Sequence, residues 1–592
     1  MPLIVQKFGG SSVADPEKIL AAARKAIRTQ QQGNQVVMVV SAMGDTTDNL
    51  IALADAICER PPAREMDMLL STGEQISVAL MAMAIHTLGA KAVSLTGPQI
   101  GIKTDATHTK ARIKSISTER VQRLLNEGNI VIAAGFQGID DNFDITTLGR
   151  GGSDTTAVAL AAVLNADACE IYTDVDGVYT TDPRLLPEAR QVERISYDEM
   201  LELASLGAGV MHNRSIEFAK KFATPIHVRS SFSDSPGSMI VAEPEFADRP
   251  VSGAAVIKNE ARVSVLGVPD RPGVSLQVFA AIAAKTVNVD MIVQNVGENG
   301  QADISFTVPR NELAVTIEAV QQALEELGSG TLSHDENVSK LSVVGLGMAN
   351  QSGVAQAMFA ALAAEGVNIQ MITTSEIKIS TLVDREAAQS ALRAVHRAFE
   401  LGTPSPAGVT PLTIGHAKAN AAEVASRLRG ANMEELFIDD ISLDETQGRV
   451  TINGLPDVPG IAARVFQEVA AAGVFVDMIV QSHGSHADRA SLSFTVPRGQ
   501  VEKAADVGRR LVKQLSCKGV TSCPNIAKLS VSGVGLRSHT GVAIRMFQAL
   551  AEAGVNVDMV STSEVRVNVV VDGQHGDRAL ESLRTAFADA LG

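Results

Sequence analysis

Along the first 235 positions the apolar residues gather in short blocks, "LIVQKF", "QVVMVVSAM", "KAVSLTG", "NIVIAAGF" and "CEIYTDVD". Each block predicts a strand buried on both faces. Between them the apolar residues fall at helical spacing. In "DPEKILAAARKAIRTQQQ", Asp15 suits the cap and Pro16 the first turn. Strands alternating with amphipathic helices predict a mostly parallel sheet with helices on both faces, whose ligands gather at the carboxyl ends of the strands.

Beyond residue 250 the pattern changes and the chain repeats itself. "GVPDRPGVSLQVFAAIAAKTVNVDMIVQNV" at 267 returns as "GLPDVPGIAARVFQEVAAAGVFVDMIVQSH" at 454, so Gly273 recurs as Gly460. A second type, "SVVGLGMANQSGVAQAMFAALAAEGVNIQMITTSEIKIS", returns as "SVSGVGLRSHTGVAIRMFQALAEAGVNVDMVSTSEVRVN", and Gly353 recurs as Gly541. A two-unit block is therefore duplicated, and the two types within a block also match one another. Each unit reads strand, glycine turn, helix, strand, strand, helix, strand, the βαββαβ order of a ferredoxin-like sandwich. Such sheets have open edges that call for a partner. The glycine loops "GLGMANQSG" and "GVGLRSHTG" lack the spacing and context of a dinucleotide fingerprint.

At 592 residues the chain predicts several domains. Lys plus Arg total 51 against 67 Asp plus Glu, a net charge of −16 that argues against nucleic acid as a partner. The apolar runs read as shorter than a membrane span, and no basic leader with an apolar core opens the chain. Cys58, Cys169, Cys517 and Cys523 are scattered, without metal-ligand spacing. A cytoplasmic protein is the expectation.

Four polar clusters interrupt the first half. In "MPLIVQKFGGSSV", Lys7 is followed at once by Gly9, Gly10, Ser11 and Ser12, either an anion-holding turn or a plain strand-to-helix turn. "STGEQISVALMAMA" reads as another glycine turn, with Glu74 in the first turn of the helix behind it. "TLGRGGSDTTAVALAAVLNA" puts Arg150, Gly151, Gly152, Ser153 and Asp154 at a helix N-terminus, where free amides and the dipole favour an anion and an arginine clamps it, although a capped helix explains Ser153 and Asp154 as well. "YTDVDGVYTTDPR" adds Thr173, Asp174, Asp176, Tyr179, Asp182 and Arg184 in one loop, which suits a nucleotide, a magnesium ion or a well-made turn.

In this order "KFGGSSV", "STGE", "GRGGSDTTA" and "TDVDGVYTTDPR" resemble the amino-acid kinase family, and specifically the aspartate kinases. The tail units, with "VPDRPG" and "SEIKIS", resemble ACT domains, small ligand-sensing modules. The resemblance implies an amino-acid kinase domain over 1–245, followed by four ACT domains over 255–335, 336–402, 440–515 and 523–592. It implies ATP, Mg²⁺ and L-aspartate as reactants and 4-phospho-L-aspartate as product, at the entry to lysine, threonine, methionine and diaminopimelate synthesis. Lys7 and Asp154 would be catalytic, Asp154 holding Lys7 in register. Ser41, Thr47, Glu74, Arg150 and Ser153 would bind aspartate, Arg150 on the α-carboxylate and Glu74 on the amino group. Lys7, Gly9, Gly10, Ser11, Thr173, Asp174, Tyr179 and Arg184 would bind ATP. Where many relatives carry a lysine near the nucleotide, this chain has Gly209 in "GAGVMHNRS", leaving Arg214 and Lys220 as the nearby cations.

ACT domains on a kinase imply feedback inhibition, with lysine and threonine as effectors. Asp270, Gly273, Ser275 and Gln294, and their copies Asp457, Gly460, Ala462 and Gln481, would meet the zwitterion. Asn368 and Ile369, with Asn556 and Val557, would complete the pockets, and Ser375, Glu376, Ser563 and Glu564 would serve a lysine side chain. A homodimer is the default assembly. Another carboxylate or nucleoside monophosphate kinase, a homoserine dehydrogenase fusion and a decayed kinase serving as a sensor are the competing readings. The ACT tail argues against the first, the remaining length against the second, and the presence of Lys7, Arg150 and Asp154 against the third.

Overall fold

The computed structural model describes residues 1–208, 210–244, 249–296, 300–351, 353–403, 433–483, 489–536 and 541–591. Its first sheet has eight strands in the order Arg194–Ser196, Ser238–Val241, Ile226–Ser230, Ala168–Thr173, Leu3–Phe8, Gln35–Val40, Ile130–Ala134 and Ala92–Leu95. Neighbours are parallel except for Ile226–Ser230 against Ser238–Val241. Val37 and Val39 pack under the helices Gly152–Val163 and Asn213–Lys221. Val36, Met38 and Val40 pack under Pro16–Gln31 and Ala63–Thr87. Burial on both faces is why the strands read as unbroken apolar runs rather than alternating ones. Asp15 caps as its position suggests, its side chain accepting from the Lys18 amide at 2.9 Å.

The helix Ala63–Thr87 is long and apolar enough to cross a membrane. Reading every apolar run as too short overlooked it, because acids interrupt the run. Those acids, Asp67 and Glu74, are buried with Ser71 against the rest of the domain, so this is a core helix.

The four repeat units follow, built as the duplication predicts but joined in an order the chain does not announce. Gly253–Pro269 is one continuous strand shared by two units. Gly253 pairs with Val344 and Ile257 with Lys340 in the second unit; after a register shift, Arg262 pairs with Asp335 in the first. The second unit thus takes its edge strand from residues ahead of the first. The fourth unit does the same, pairing Phe437–Asp444 with Ile526–Val534. A strand already lying beside an open edge is the least costly way to cover it.

Units also pair across the two blocks. Ile372 and Thr373 of the second unit bond to Gln481 and Val480 of the third, which joins the first three units in one ten-stranded sheet. Phe359 packs on Phe466 there, with ring centroids 5.5 Å apart. The first unit packs on the fourth, Phe279 against Phe547 at 5.6 Å. Met291, Met371, Met478 and Met559, one from each unit, share a buried cluster between the pairs.

This assembly grips the kinase-like half through the helix Tyr197–Leu203. Glu199 Oε1 accepts from the Leu346 amide at 3.1 Å, and Glu202 Oε1 from the Glu564 amide at 2.9 Å. Lys378 Nζ lies 2.7 Å from Glu202 Oε2, both side chains buried. Burial pushes the Lys378 ammonium down, but the carboxylates of Glu202, Asp290 and Glu564 outweigh it and hold its pKa above the ordinary lysine value. Lys378→Met is expected to cost about 3–5 kcal/mol, because it leaves the Glu202 carboxylate buried without a counter-charge. Adding Glu202→Gln is expected to recover part of that loss, which denaturant midpoints of the single and double variants will measure.

Candidate active site

Parallel strands deliver their carboxyl ends to one edge of the sheet, and the polar clusters of the first half meet there. Lys7, one residue from the end of Leu3–Phe8, is buried with its Nζ 2.6 Å from Asp154 Oδ1. Asp154 sits in the first turn of Gly152–Val163, at the positive end of the helix. The N-cap of that helix is Gly151, with φ +73°, and a Cβ there would lie 2.3 Å from His212 Cβ. No other residue fits both the backbone and the space. Ser153 is buried in the same turn, while Arg150 is exposed at its mouth.

After Lys7 the chain turns through Gly9, whose amide bonds to Tyr172 O at 3.4 Å, into the 3-10 helix Gly10–Val13. The first amides of such a turn, at Gly10 and Ser11, have no acceptor within the helix. Ser41 follows the next strand, its amide bonded to Phe8 O at 3.1 Å, and Thr47 lies half-buried in the first turn of Thr46–Ile57.

Glu74 departs from the expected first helical turn: it lies in the middle of Ala63–Thr87. Gly73 is not a turn glycine either. It lies where a Cβ would come 2.8 Å from Ala42 Cβ, so its lack of a side chain lets the helix approach the loop after Gln35–Val40. That approach brings Glu74 Oε1 within 3.1 Å of the Ala42 amide. Burial pushes the Glu74 carboxyl up to about 7, against the pull of that amide.

On the other side of Lys7, Thr173 ends its strand and its hydroxyl bonds to Asp174 at 3.1 Å. Tyr179 is half-buried and bridges to Gln191. Arg184 is exposed and forks onto Asp182 at 2.8 and 3.0 Å, so its guanidinium is already engaged. A serine-rich loop that the sequence reading passed over closes this rim. Ser231 donates its amide to Thr173 O at 2.8 Å and its hydroxyl to Ser12 at 2.5 Å, and Ser233 bonds to Asp176 at 2.5 Å. Its Ser, Pro and Gly content after a parallel strand was the available signal. Gly209 lies outside the described residues. Arg214 is held by Glu434 and Ala111 O, and Lys220 by Asp198 at 2.7 Å.

In the tail the structure brings the duplicated residues together across blocks. Asn556 Nδ2 donates to Asp270 at 2.7 Å and Gln294 Nε2 to Val557 O at 2.6 Å, with the Ser275 hydroxyl on Gln294 at 2.7 Å. Asn368 Nδ2 donates to Asp457 at 2.8 Å and Gln481 Nε2 to Ile369 O at 2.8 Å, beside a cavity of ≈ 20 Å³ bordered by Gly460 and Ala462. Gly273 and Gly460 are the N-caps of the adjoining helices. Ser375, Glu376, Ser563 and Glu564 are not part of these clusters. Glu376 pairs with Arg566, and Glu564 accepts from Asn213 at 2.9 Å on the kinase side. Ser375 and Glu376 border a separate cavity of ≈ 630 Å³, and Ser563 one of ≈ 110 Å³.

A buried lysine–aspartate pair on a doubly wound sheet, with a helix N-terminus on one side and a polar loop on the other, defines a phosphotransferase of the amino acid kinase class. The amino acid kinase family model matches residues 2–230, and an ACT domain model matches four times, over 263–324, 341–399, 450–507 and 529–587. An aspartokinase of Pseudomonas aeruginosa is 49% identical over 411 residues, which cover 69% of this chain and 100% of that protein. One of Mycobacterium tuberculosis is 48% identical over 415 residues, 69% of this chain and 99% of its own. The crystal structure of aspartate kinase from Synechocystis is 40% identical and covers 99% of this chain and 98% of its own, with a TM-score of 0.52. That of E. coli aspartokinase III in complex with aspartate and ADP is 25% identical over 67% of this chain and 99% of its own, with a TM-score of 0.57. The chain belongs to the aspartate kinases.

Because Glu74 binds its proton more tightly folded than unfolded, stability of the free protein falls as pH rises from its ordinary value of 4.5 toward about 7. Glu74→Gln is expected to remove about 3 kcal/mol of that fall. Chemical denaturation of both forms at pH 5 and pH 8 will check it.

Proposed function

We propose that the enzyme transfers the γ-phosphoryl group of ATP to the side-chain carboxylate of L-aspartate, giving 4-phospho-L-aspartate and ADP. The observation that carries this reading is the 2.6 Å Lys7–Asp154 pair at the shared carboxyl edge of the sheet. The nucleophile, a carboxylate with pKa near 4, is already ionised and needs no general base. What the reaction needs is alignment and positive charge on the transferring oxygens, which Lys7 supplies while Asp154 fixes its position.

Gly9, Gly10 and Ser11 would line the phosphates, and Thr173, Asp174, Tyr179 and Arg184 the rest of the nucleotide, Arg184 after leaving Asp182. Mg²⁺ would ride on the phosphates with several waters and neutralise their charge; oxygen donors such as Asp174 suit its outer shell. Arg150 would clamp the aspartate α-carboxylate and Glu74 its ammonium, with Ser41, Thr47 and Ser153 completing the pocket. Binding an ammonium favours ionised Glu74, so the free site would release a proton as aspartate enters. The E. coli aspartokinase III complex with aspartate and ADP supports both ligands.

The same reading makes this the first step of lysine, threonine, methionine and diaminopimelate synthesis, in the cytoplasm, where ATP is abundant and the four free cysteines stay reduced. A homodimer belongs to it as well. Leu53, Ile57, Ile76 and Met83 expose apolar surface on two adjacent kinase-domain helices, as an uncovered interface would.

Lysine and threonine would inhibit through the two cross-block clusters. Their Asn groups now bond the Asp groups and their Gln groups the backbone, and an amino-acid zwitterion would insert by exchanging those bonds for its own. A structure of E. coli aspartokinase III in complex with lysine and aspartate supports lysine as one effector. The clusters differ in polarity at two matched positions: Arg271 and Ser275 in one stand against Val458 and Ala462 in the other. Two sites of unequal polarity suit two effectors.

ADP release with MgATP and L-aspartate is expected to be strong and suppressed by lysine, threonine or both, and no aspartate-dependent turnover would overturn the reading. Lys7→Ala is expected to lower kcat by about 10²–10⁴-fold, and to lower the unfolding temperature as well because Asp154 keeps a buried charge without its partner. Gln294→Ala and Gln481→Ala are each expected to blunt inhibition by a different effector while leaving kcat near wild type, as dose–response curves for each effector will show.

A further inference from the structure

The long helix carries a second buried acid, two turns before Glu74, whose work lies outside the reaction as derived above. Asp67 is fully buried, and its contacts tie down a loop and a strand end. His108 Nδ1 lies 2.7 Å from Asp67 Oδ2. The Thr109 amide donates to both carboxylate oxygens, at 3.0 and 3.1 Å. The Thr147 hydroxyl donates to Oδ1 from a different segment. One carboxylate therefore clasps a loop to the end of the strand Ile145–Thr147 where the two cross.

The crossing is reinforced from both sides. Ala111 donates its amide to Thr147 O at 2.9 Å, and a Cβ on Gly149 would stand 2.9 Å from Thr109 O. Three residues beyond Thr147 comes Arg150, which is exposed and has its place set by the backbone that carries it. Asp67 and Glu74 thus project from one rigid helix toward two parts of the same pocket.

We infer that Asp67 is a positioning residue for substrate selectivity: through Thr109 and Thr147 it sets the loop that aims Arg150 at the substrate α-carboxylate. This rests on the reading of Arg150 given above. A carboxylate suits the task because three donors converge on it, and an amide in its place would turn an NH₂ group toward the Thr109 N–H or the Thr147 hydroxyl. Small displacements of a clamp are costly in binding and alignment. The nucleotide side of the site, beyond Lys7, shares none of these contacts.

The test compares Asp67→Asn, Thr147→Val and Arg150→Gln in the full chain, measuring kcat and KM for L-aspartate, for its α-amide and for MgATP. Asp67→Asn is expected to raise KM for L-aspartate by about tenfold, to leave KM for MgATP within about twofold, and to erode the preference for L-aspartate over the α-amide by about fivefold. Thr147→Val, which keeps the carboxylate, is expected to follow at about threefold and carries the test if Asp67→Asn does not fold. Equal losses on both amino-acid substrates, or on aspartate and nucleotide alike, would mean that Asp67 merely stabilises the fold and would overturn the inference. If Arg150→Gln itself keeps the preference, the clamp reading falls and this inference with it. If Arg150→Gln abolishes the preference while the other two retain it, the clamp stands and Asp67 does not set it.

Discussion

A β-sheet edge is a row of unpaired amides and carbonyls, and the regulatory half of this enzyme is organised by the need to cover four sets of them. The strand that enters from the kinase domain covers the edge of the second unit before it continues into the first. Ile372 and Thr373 then meet Gln481 and Val480, so the second unit closes on the third. The first is left to the fourth. Each Asp-bearing loop of one block therefore meets the Asn-bearing segment before a strand of the other, and both candidate effector clusters are formed within a single chain. Four equivalent methionines fill the centre, where flexible, polarizable side chains accommodate packing that is only approximately symmetric.

An approximately symmetric layer must still dock on one asymmetric kinase domain, and the cost appears in the matched motifs "SEIK" and "SEVR". Glu376 and Arg566 close one ion pair between the second and fourth units. Of the equivalent residues, Lys378 pairs with Glu202 of the kinase domain and Glu564 accepts from Asn213 there. A buried pair contributes little net stability after desolvation, so its worth lies in orientation. Opposite charges buried in contact resist separation more steeply than apolar surfaces do. Glu202 thus fixes the second and fourth units against the same helix of the kinase domain.

Much of this was readable in the chain. The kinase strands announce themselves because burial on both faces leaves no room for polar residues, and Lys7, Arg150 and Asp154 stand out against those runs. The duplication was plain from Gly273 and Gly460 alone. Which unit joins which was not readable, since Gln294 and Gln481 sit in nearly identical strands and local sequence cannot choose between equivalent edges. Glu376 and Glu564 illustrate the same limit: matched motifs acquire different partners because the kinase domain breaks the symmetry. The continuous strand from Gly253 to Pro269 hides its change of unit in a register shift that no residue type signals. Glu74 was placed in a turn because glycine usually marks one, whereas Gly73 serves a close approach between helix and loop.

The helix Ala63–Thr87 shows why composition and function diverge. Its inward face holds Asp67, Ser71, Glu74 and Ser77, while Ile76, Leu80 and Met83 lie exposed. Polar residues thus share the buried side with Leu70, Val78, Met81 and Ile85, unlike the usual amphipathic pattern. Buried acids are tolerable only where donors converge on them, and here the donors come from loops and a strand end: Ala42 for Glu74, Thr109 and Thr147 for Asp67. The helix thus spends burial on holding polar loops in register rather than on apolar packing alone. Its hydrophobic content, enough by itself to suggest a membrane span, is shared between the core, through Val78, Met81 and Ile85, and the exposed face.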